Sequence, residues 1–269
     1  IGLMRTELLF LNRATAPSFD EQVALYSEVL TTAPSGEVIF RTLDAGSDKP
    51  LPYLALAQEE NPSLGVRGFR INEVDESVLA TQLQALAAAE KHIGRPVSVM
   101  APMIATVAEA KAFSAMALGF GLSTIGVMVE TPSICLQIKQ LGGVVDFLSI
   151  GTNDLSQYLF AADRQNSAVA ALLNPWQPAL LKTIEKVCAD AKSVGIKVGV
   201  CGEAGADPLL AIVLAGLGVQ SVSMAAPAVA KAIEYLSSVT EDQAKQIAQQ
   251  ALSGEDARQA KELARTALA

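Results

Sequence analysis

Two acids stand where strand-like runs give out. Glu130 ends TIGVMVE, and Asp154 follows VDFLSIG within GTNDL. Neighbouring parallel strands lie about 4.8 Å apart, so from such positions both carboxylates can converge on one hard cation. Mg²⁺ suits the pair, because it takes one or two carboxylates, completes its shell with substrate and water oxygens, and needs neither thiolate nor imidazole. The alternative is that both acids only cap the helices that follow, which Thr131 and Thr152 could do instead.

Four arginines are expected at the same end of the strands: Arg5 in LMRTE, Arg41 in VIFRTLD, Arg67 in SLGVRGFR and Arg164 in AADRQN. A guanidinium at a buried strand end is costly unless an anion pairs with it, and its fork matches carboxylate and phosphate oxygens. Internal salt bridges to Glu7, Asp44 or Asp163 account for any one arginine equally well, but less well for all four. Arg70 and Lys49 are weaker candidates. Cys201 closes KVGVCGE, with Gly202 beside it leaving room for a ligand. A thiol with an ordinary pKa of about 8.5 stays protonated near neutrality and could deliver a proton to a carbanion-like carbon; the plainer reading is a small buried hydrophobe. Cys135 and Cys188 lie in helical runs and take that plainer reading. His92, at the end of a helix entering a strand, has no chemical role. Trp176, in NPWQPALL, either covers a face or meets a partner. Gly126, Gly151 and Gly202 could serve packing alone, and no P-loop or GxGxxG supports nucleotide binding. Met100, Met103 and Met128 fill the core.

Seven apolar runs must position these groups: IGLMRTELL, EVIFRTL, PVSVMAPM, TIGVMVE, VDFLSIG, KVGVCGE and VQSVSMA. Their near-continuous hydrophobicity reads as parallel strands covered on both faces, separated by alanine-rich helices. The fold class is α/β, a (β/α)8 TIM-type barrel with its first βα unit missing from the chain, and an open doubly wound sheet is the competitor. Such barrels carry their sites on the loops after the strands. One domain covers 1–269, with an inserted loop region at about 44–75 and a helical C-terminal segment at about 227–269. Thr131-Pro132 predicts a helix over SICLQIKQL that Gly142-Gly143 ends. A chain that opens on Ile1 is expected to have a longer parent.

Composition narrows the class. Hydrophobic residues make up 51% and charged residues 18%, which excludes a disordered chain. A formal charge of −8 argues against nucleic acid as a partner. No apolar run is long enough for a membrane span, no signal peptide opens the chain, and three scattered cysteines fit neither a disulfide framework nor structural zinc. The expected location is the cytoplasm.

GLMRTELLFLNR, VIFRTLDAGSDKPLPYL, EENPSLGVRGFR, GVMVETP, VDFLSIGTNDLSQY, ADRQN and VCGEAGAD together resemble the phosphoenolpyruvate-binding domain of enzyme I of the bacterial sugar phosphotransferase system, from Ile1 to about Pro227. GTNDL and GVMVE are shared more widely, including with pyruvate phosphate dikinase and phosphoenolpyruvate synthase, whose barrels are the alternative reading; a catalytically silent dimerisation or sensing barrel is another. The resemblance implies that Glu130 and Asp154 coordinate Mg²⁺. It implies that Arg5, Arg41 and Arg164, with Asn153, hold the phosphate and carboxylate, that Arg67 supports that anion site, and that Cys201 protonates enolpyruvate. It further implies a phosphohistidine domain of the same parent as acceptor, a histidine phosphocarrier protein beyond it, and a homodimer. KAFSAMALGFGLSTIGVMVE departs from the family in being shorter than the usual helix and loop before the metal-binding glutamate.

Overall fold

The computed structural model describes residues 1–10, 13–46, 51, 53–54 and 56–269, without the side chain of Glu203. The chain forms two compact units, residues 1–128 with 144–146, and residues 129–143 with 147–269.

The first unit carries β1 (Met4–Arg5), α1 (Glu7–Phe10), α2 (Phe19–Thr32), β2 (Ile39–Arg41), α3 (Glu76–Ile93), β3 (Ser98–Ala101), α4 (Val107–Gly119) and nearly all of β4 (Thr124–Val129). Each strand pairs parallel with its sequence neighbour: Arg5 opposite Arg41, Arg41 opposite Met100, and Met100 opposite Gly126. That register sets Arg5 and Arg41 side by side. The expected first strand is shorter than IGLMRTELL, because Thr6 turns the chain and Glu7 opens α1; the Thr6 hydroxyl donates to the Arg41 carbonyl at 2.8 Å. Helix starts follow their caps. Ser18 and Thr106 each form a capping box, with Glu21 and Glu109, and Gly94 ends α3 in the left-handed conformation at φ 71°. His92 lies in that last turn, as expected.

The described residues of the loop region hold 3₁₀ turns at Pro62–Leu64 and Gly68–Glu73, and Ala45, Leu51, Leu54 and Ile71 among them cluster with Phe10 and Leu43. The short stretch before Glu130 is a complete connection. α4 reaches β4 through 120–123, closed by Gly121 N donating to Leu118 O at 2.9 Å and Leu122 N to Ala117 O at 3.1 Å.

The second unit carries α5 (Pro132–Cys135), β5 (Phe147–Gly151), α6 (Thr152–Leu159), α7 (Pro178–Ser193), β6 (Lys197–Cys201), α8 (Pro208–Gly216), β7 (Ser221–Val222), α9 (Ala226–Ser237), α10 (Glu241–Leu252) and α11 (Ala257–Leu268). β5, β6 and β7 pair parallel in that order, with Gly151 opposite Cys201. The helix expected over SICLQIKQL is broken: α5 stops at Cys135, Leu136 points into solvent, and a 3₁₀ turn takes over at Ile138–Leu141. Thr131 supplies no side-chain cap there, so the hydroxyl-then-proline signal marked the start and overstated the length. No strand follows β7 among the described residues, and the helical segment begins at Ala226.

The core is apolar and continuous in composition, with Met100, Met103 and Met128 buried as expected. Seven parallel strands alternating with helices make the class α/β. Among the described residues no helix is long and apolar enough to cross a membrane.

Candidate active site

The first unit builds an arginine cluster at the C-terminal ends of β1 and β2. Arg41, last residue of β2, is held from both sides. Its Nη2 donates to the Glu7 carboxylate, and its Nη1 lies 3.3 Å from Asp44 Oδ2 and 3.8 Å from Met128 Sδ. Arg67, on the inserted loop, donates through Nη2 to both oxygens of Asp44 at 3.1 and 3.0 Å, and through Nε to Oδ1 at 3.4 Å. Glu7, Arg41, Asp44 and Arg67 are all buried. The salt-bridge alternative therefore holds for Arg41 and Arg67, with Glu7 and Asp44 among their partners. A pair of buried guanidiniums needs such counter-charges.

Arg5 differs. It is exposed on β1 next to Arg41 in the register, as suits a cation that meets its partner from solvent. Arg70 braces the loop, its Nη1 donating to the Leu64 and Gly65 carbonyls at 3.2 and 3.1 Å. Lys49 lies outside the described residues. The backbone around Arg41 is pinned by Gln82, buried on α3: its Nε2 donates to Thr6 Oγ1 at 2.9 Å and its Oε1 accepts from Leu43 N at 2.8 Å.

The second unit brings the remaining candidates to the ends of its strands. Glu130 directly follows β4 and is wholly buried; Asp154 sits in the first turn of α6, also buried. The first turn is where the helix dipole favours a carboxylate. Arg164 Nη1 lies 3.6 Å from Asp154 Oδ1, and its backbone N donates to Gln157 Oε1 at 3.0 Å. Asp154 is thus one of its partners. Thr152 spends its hydroxyl on the Cys201 carbonyl at 3.3 Å instead of capping α6. Asn153 is exposed.

Cys201 is buried, with its Sγ 3.6 Å from the Ile150 carbonyl. Gly202 beside it has φ +112°, and a Cβ there would stand 2.9 Å from Thr152 Oγ1 and 3.5 Å from Asn153 Oδ1. The glycine is therefore required both by its backbone conformation and by the close approach of the GTNDL turn. Cys135 and Cys188 follow the plainer reading: burial pushes each thiol up to about 12. Trp176 is buried and donates its indole N–H to Asp207 Oδ2 at 2.9 Å, so it covers a face.

The donor set suits Mg²⁺. Glu130 and Asp154 offer hard oxygens only, and among the described residues no three His, Cys, Asp or Glu side chains gather to hold a metal by themselves. A cation there would depend on ligand and water oxygens for the rest of its shell, as Mg²⁺ commonly does. Glu7 and Asp44 were named from the sequence as possible arginine partners, whereas Gln157 was not singled out. The signal available for Gln157 was its position on the helix after GTNDL.

Residues 1–240 match the family described as PEP-utilising enzyme, PEP-binding domain, PEP being phosphoenolpyruvate. The phosphoenolpyruvate-protein phosphotransferase of Streptomyces coelicolor is 47% identical over 270 residues, covering 100% of this chain and 49% of that protein. The Bacillus subtilis protein of the same name is 40% identical over 265 residues, covering 94% of this chain and 46% of its own length. Multiphosphoryl transfer protein 1 of Escherichia coli is 37% identical over 264 residues, with 93% and 31% covered. The chain thus spans about half the length of the first two relatives, or less of the third. Among solved structures, malate synthase from Haloferax volcanii aligns over 87% of this chain and 64% of its own with a TM-score of 0.52, and at 14% identity that likeness concerns the fold alone. On the family match over nearly its whole length, the chain belongs to the PEP-utilising enzymes and carries their PEP-binding domain.

Proposed function

We propose that the chain binds phosphoenolpyruvate with Mg²⁺ and gives up the phosphoryl group to a histidine on a separate domain of its parent protein, releasing pyruvate as the first step of a sugar phosphotransferase system. The observation that carries this reading is the meeting of Asn153, Asp154, Arg164 and Cys201 around the adjoining ends of β5 and β6, in a chain of this family. In the same reading, residues 1–269 act as one (β/α)8-type barrel domain, the loop region at 44–75 and the helices from 227 onward belong to it, and the protein works as a cytoplasmic homodimer that serves a histidine phosphocarrier protein.

Glu130 and Asp154 would hold Mg²⁺, which, when bound, neutralises charge on the phosphoryl oxygens of a loose transition state. Arg5, Arg41, Arg164 and Asn153 bind the phosphate and carboxylate of the substrate, and Arg67 supports them. Departure of the phosphoryl group leaves an enolate, whose methylene carbon takes the proton from the Cys201 thiol; the thiolate is then reprotonated from solvent. A buried thiol keeps its proton until a basic carbon arrives, which is what a donor to carbon requires.

Calorimetric titration of the chain with phosphoenolpyruvate tests the assignment. Binding is expected to strengthen with Mg²⁺ in the wild type and to lose that dependence, with at least about a tenfold weaker affinity, in Asp154→Asn, since one of two protein ligands loses its charge. Equal Mg²⁺-dependent affinity in both proteins would remove Asp154 from the metal site.

A further inference from the structure

We propose that Asp44 is a positioning residue of the anion site: one buried carboxylate that fixes Arg41 and Arg67 as a single two-pronged receptor. The inference rests on the phosphoenolpyruvate reading above and extends it to a residue that touches no substrate.

The geometry is specific. Asp44 Oδ2 is shared, lying 3.0 Å from Arg67 Nη2 and 3.3 Å from Arg41 Nη1, while Oδ1 takes Nη2 and Nε of Arg67 at 3.1 and 3.4 Å. The Asp44 side chain is only 2% exposed, those of Arg67 and Arg41 3% and 7%. At such burial a carboxylate accepting several N–H bonds strongly constrains both guanidinium planes. Glu7 completes the set on the far side of Arg41, so two positive and two negative side chains alternate through the cluster. Each arginine is oriented by a partner that is itself oriented.

Two consequences separate positioning from mere charge balance. Neutralising Asp44 leaves the cluster with one more net positive charge, which favours any small anion by Coulomb attraction in a poorly screened site. The same change frees the two forks to turn independently, which penalises only a ligand whose anionic groups sit at a fixed spacing. A substrate carrying a phosphate and a carboxylate on one rigid enol frame is such a ligand; inorganic phosphate is not. The ratio of the two affinities therefore reports the positioning role.

Phosphoenolpyruvate with Mg²⁺, and inorganic phosphate alone, are titrated calorimetrically into the 269-residue chain and its Asp44→Asn variant. Asp44→Asn is expected to weaken phosphoenolpyruvate at least about tenfold and to leave phosphate unchanged or tighter, so that selectivity falls tenfold or more. An unchanged ratio with the wild type binding phosphoenolpyruvate overturns the role of Asp44 and leaves the functional reading standing. A wild type that binds no phosphoenolpyruvate overturns that reading, and this inference with it. Should Asp44→Asn fail to fold, Arg67→Lys keeps the charge but loses the fork; it is expected to show the same fall in selectivity, and an unchanged ratio there overturns the proposal equally.

Discussion

Removing the Asp207 carboxylate should cost the second unit about 4 kcal/mol, worked from its four partners. Asp207 caps α8, its Oδ1 accepting from Leu209 N at 3.1 Å and Leu210 N at 3.3 Å. Its Oδ2 accepts from the Trp176 indole at 2.9 Å and from Lys261 Nζ of α11 at 2.7 Å. Loss of a cap costs about 1 kcal/mol. An indole N–H left without an acceptor costs about 1–3 kcal/mol, toward the upper end here because Trp176 is 2% exposed. Lys261, with a side chain 40% exposed, rehydrates easily, and its share is about 0.5 kcal/mol. Asp207→Asn should fall between wild type and Asp207→Ala, because an amide keeps the cap acceptor and loses the charge. Urea unfolding followed by tryptophan fluorescence is a direct assay, since Trp176 is the chain's one tryptophan and reports the affected unit. pH gives an internal control. Burial alone raises the Asp207 pKa, but Lys261, the indole and the Leu210 amide outweigh it and hold the group below its ordinary value. Stability from such a group is complete above the unfolded pKa of about 3.9 and disappears as pH falls through the lower folded value. The gap between wild type and Asp207→Asn should thus be full at neutrality and close in acid. A loss under about 1 kcal/mol for Asp207→Ala, with an unchanged urea slope, would refute the reasoning.

Cys135 and Cys188, each raised from 9.0 to about 12 by burial, should carry about a thousandfold less thiolate at pH 8 than an ordinary cysteine. Iodoacetamide labelling read by peptide mass spectrometry should mark them only after urea is added, and prompt labelling of the folded chain would contradict this. Arg95 clamps the end of α2 by donating from Nη1 to the Leu30 and Ala33 carbonyls at 2.6 and 3.0 Å, and from Nη2 to the Pro34 and Gly36 carbonyls. Arg95→Ala is expected to lower stability by about 2 kcal/mol, with Arg95→Lys recovering less than half; thermal melts showing no change for either would dismiss the clamp.

The strand runs were legible because buried parallel strands write themselves as continuous apolar stretches, and the loop after each strand inherits its polar residues. Local signals that close within one turn, such as Ser18 with Glu21 and Thr106 with Glu109, stand in the sequence but were not used. Length was less legible. Apolar residues flank Arg5, Thr6 and Glu7 on both sides while the backbone changes from strand to helix at Thr6, and reading IGLMRTELL as one strand missed that switch. Partners distant in sequence were out of reach altogether. Trp176 and Asp207 are 31 residues apart and Gln82 and Thr6 are 76 apart, so residue type alone could show that each needs a partner but not which one the fold supplies. Among the site residues, the two possibilities weighed for Arg41 and Arg67, internal pairing or anion binding, were framed as rivals. The buried pairs to Glu7 and Asp44 establish the first and leave the second possibility compatible with it.

α8 is apolar on every side, with Leu209 through Leu214 buried, and α10 is part of what covers it. The cover is close: a Cβ added at Gly216 would come 2.1 Å from the Ala244 carbonyl, and one at Gly254 would come 2.7 Å from Ala260 N. These contacts lie at and beyond residue 240, where the family match stops. A chain shortened to that limit would lose α10 and α11 together and strip Asp207 of its lysine. It would also present a greasy helix to water, and insolubility is the ordinary outcome of such exposure. Residues beyond 240 thus serve the second unit as a cover that keeps α8 out of water.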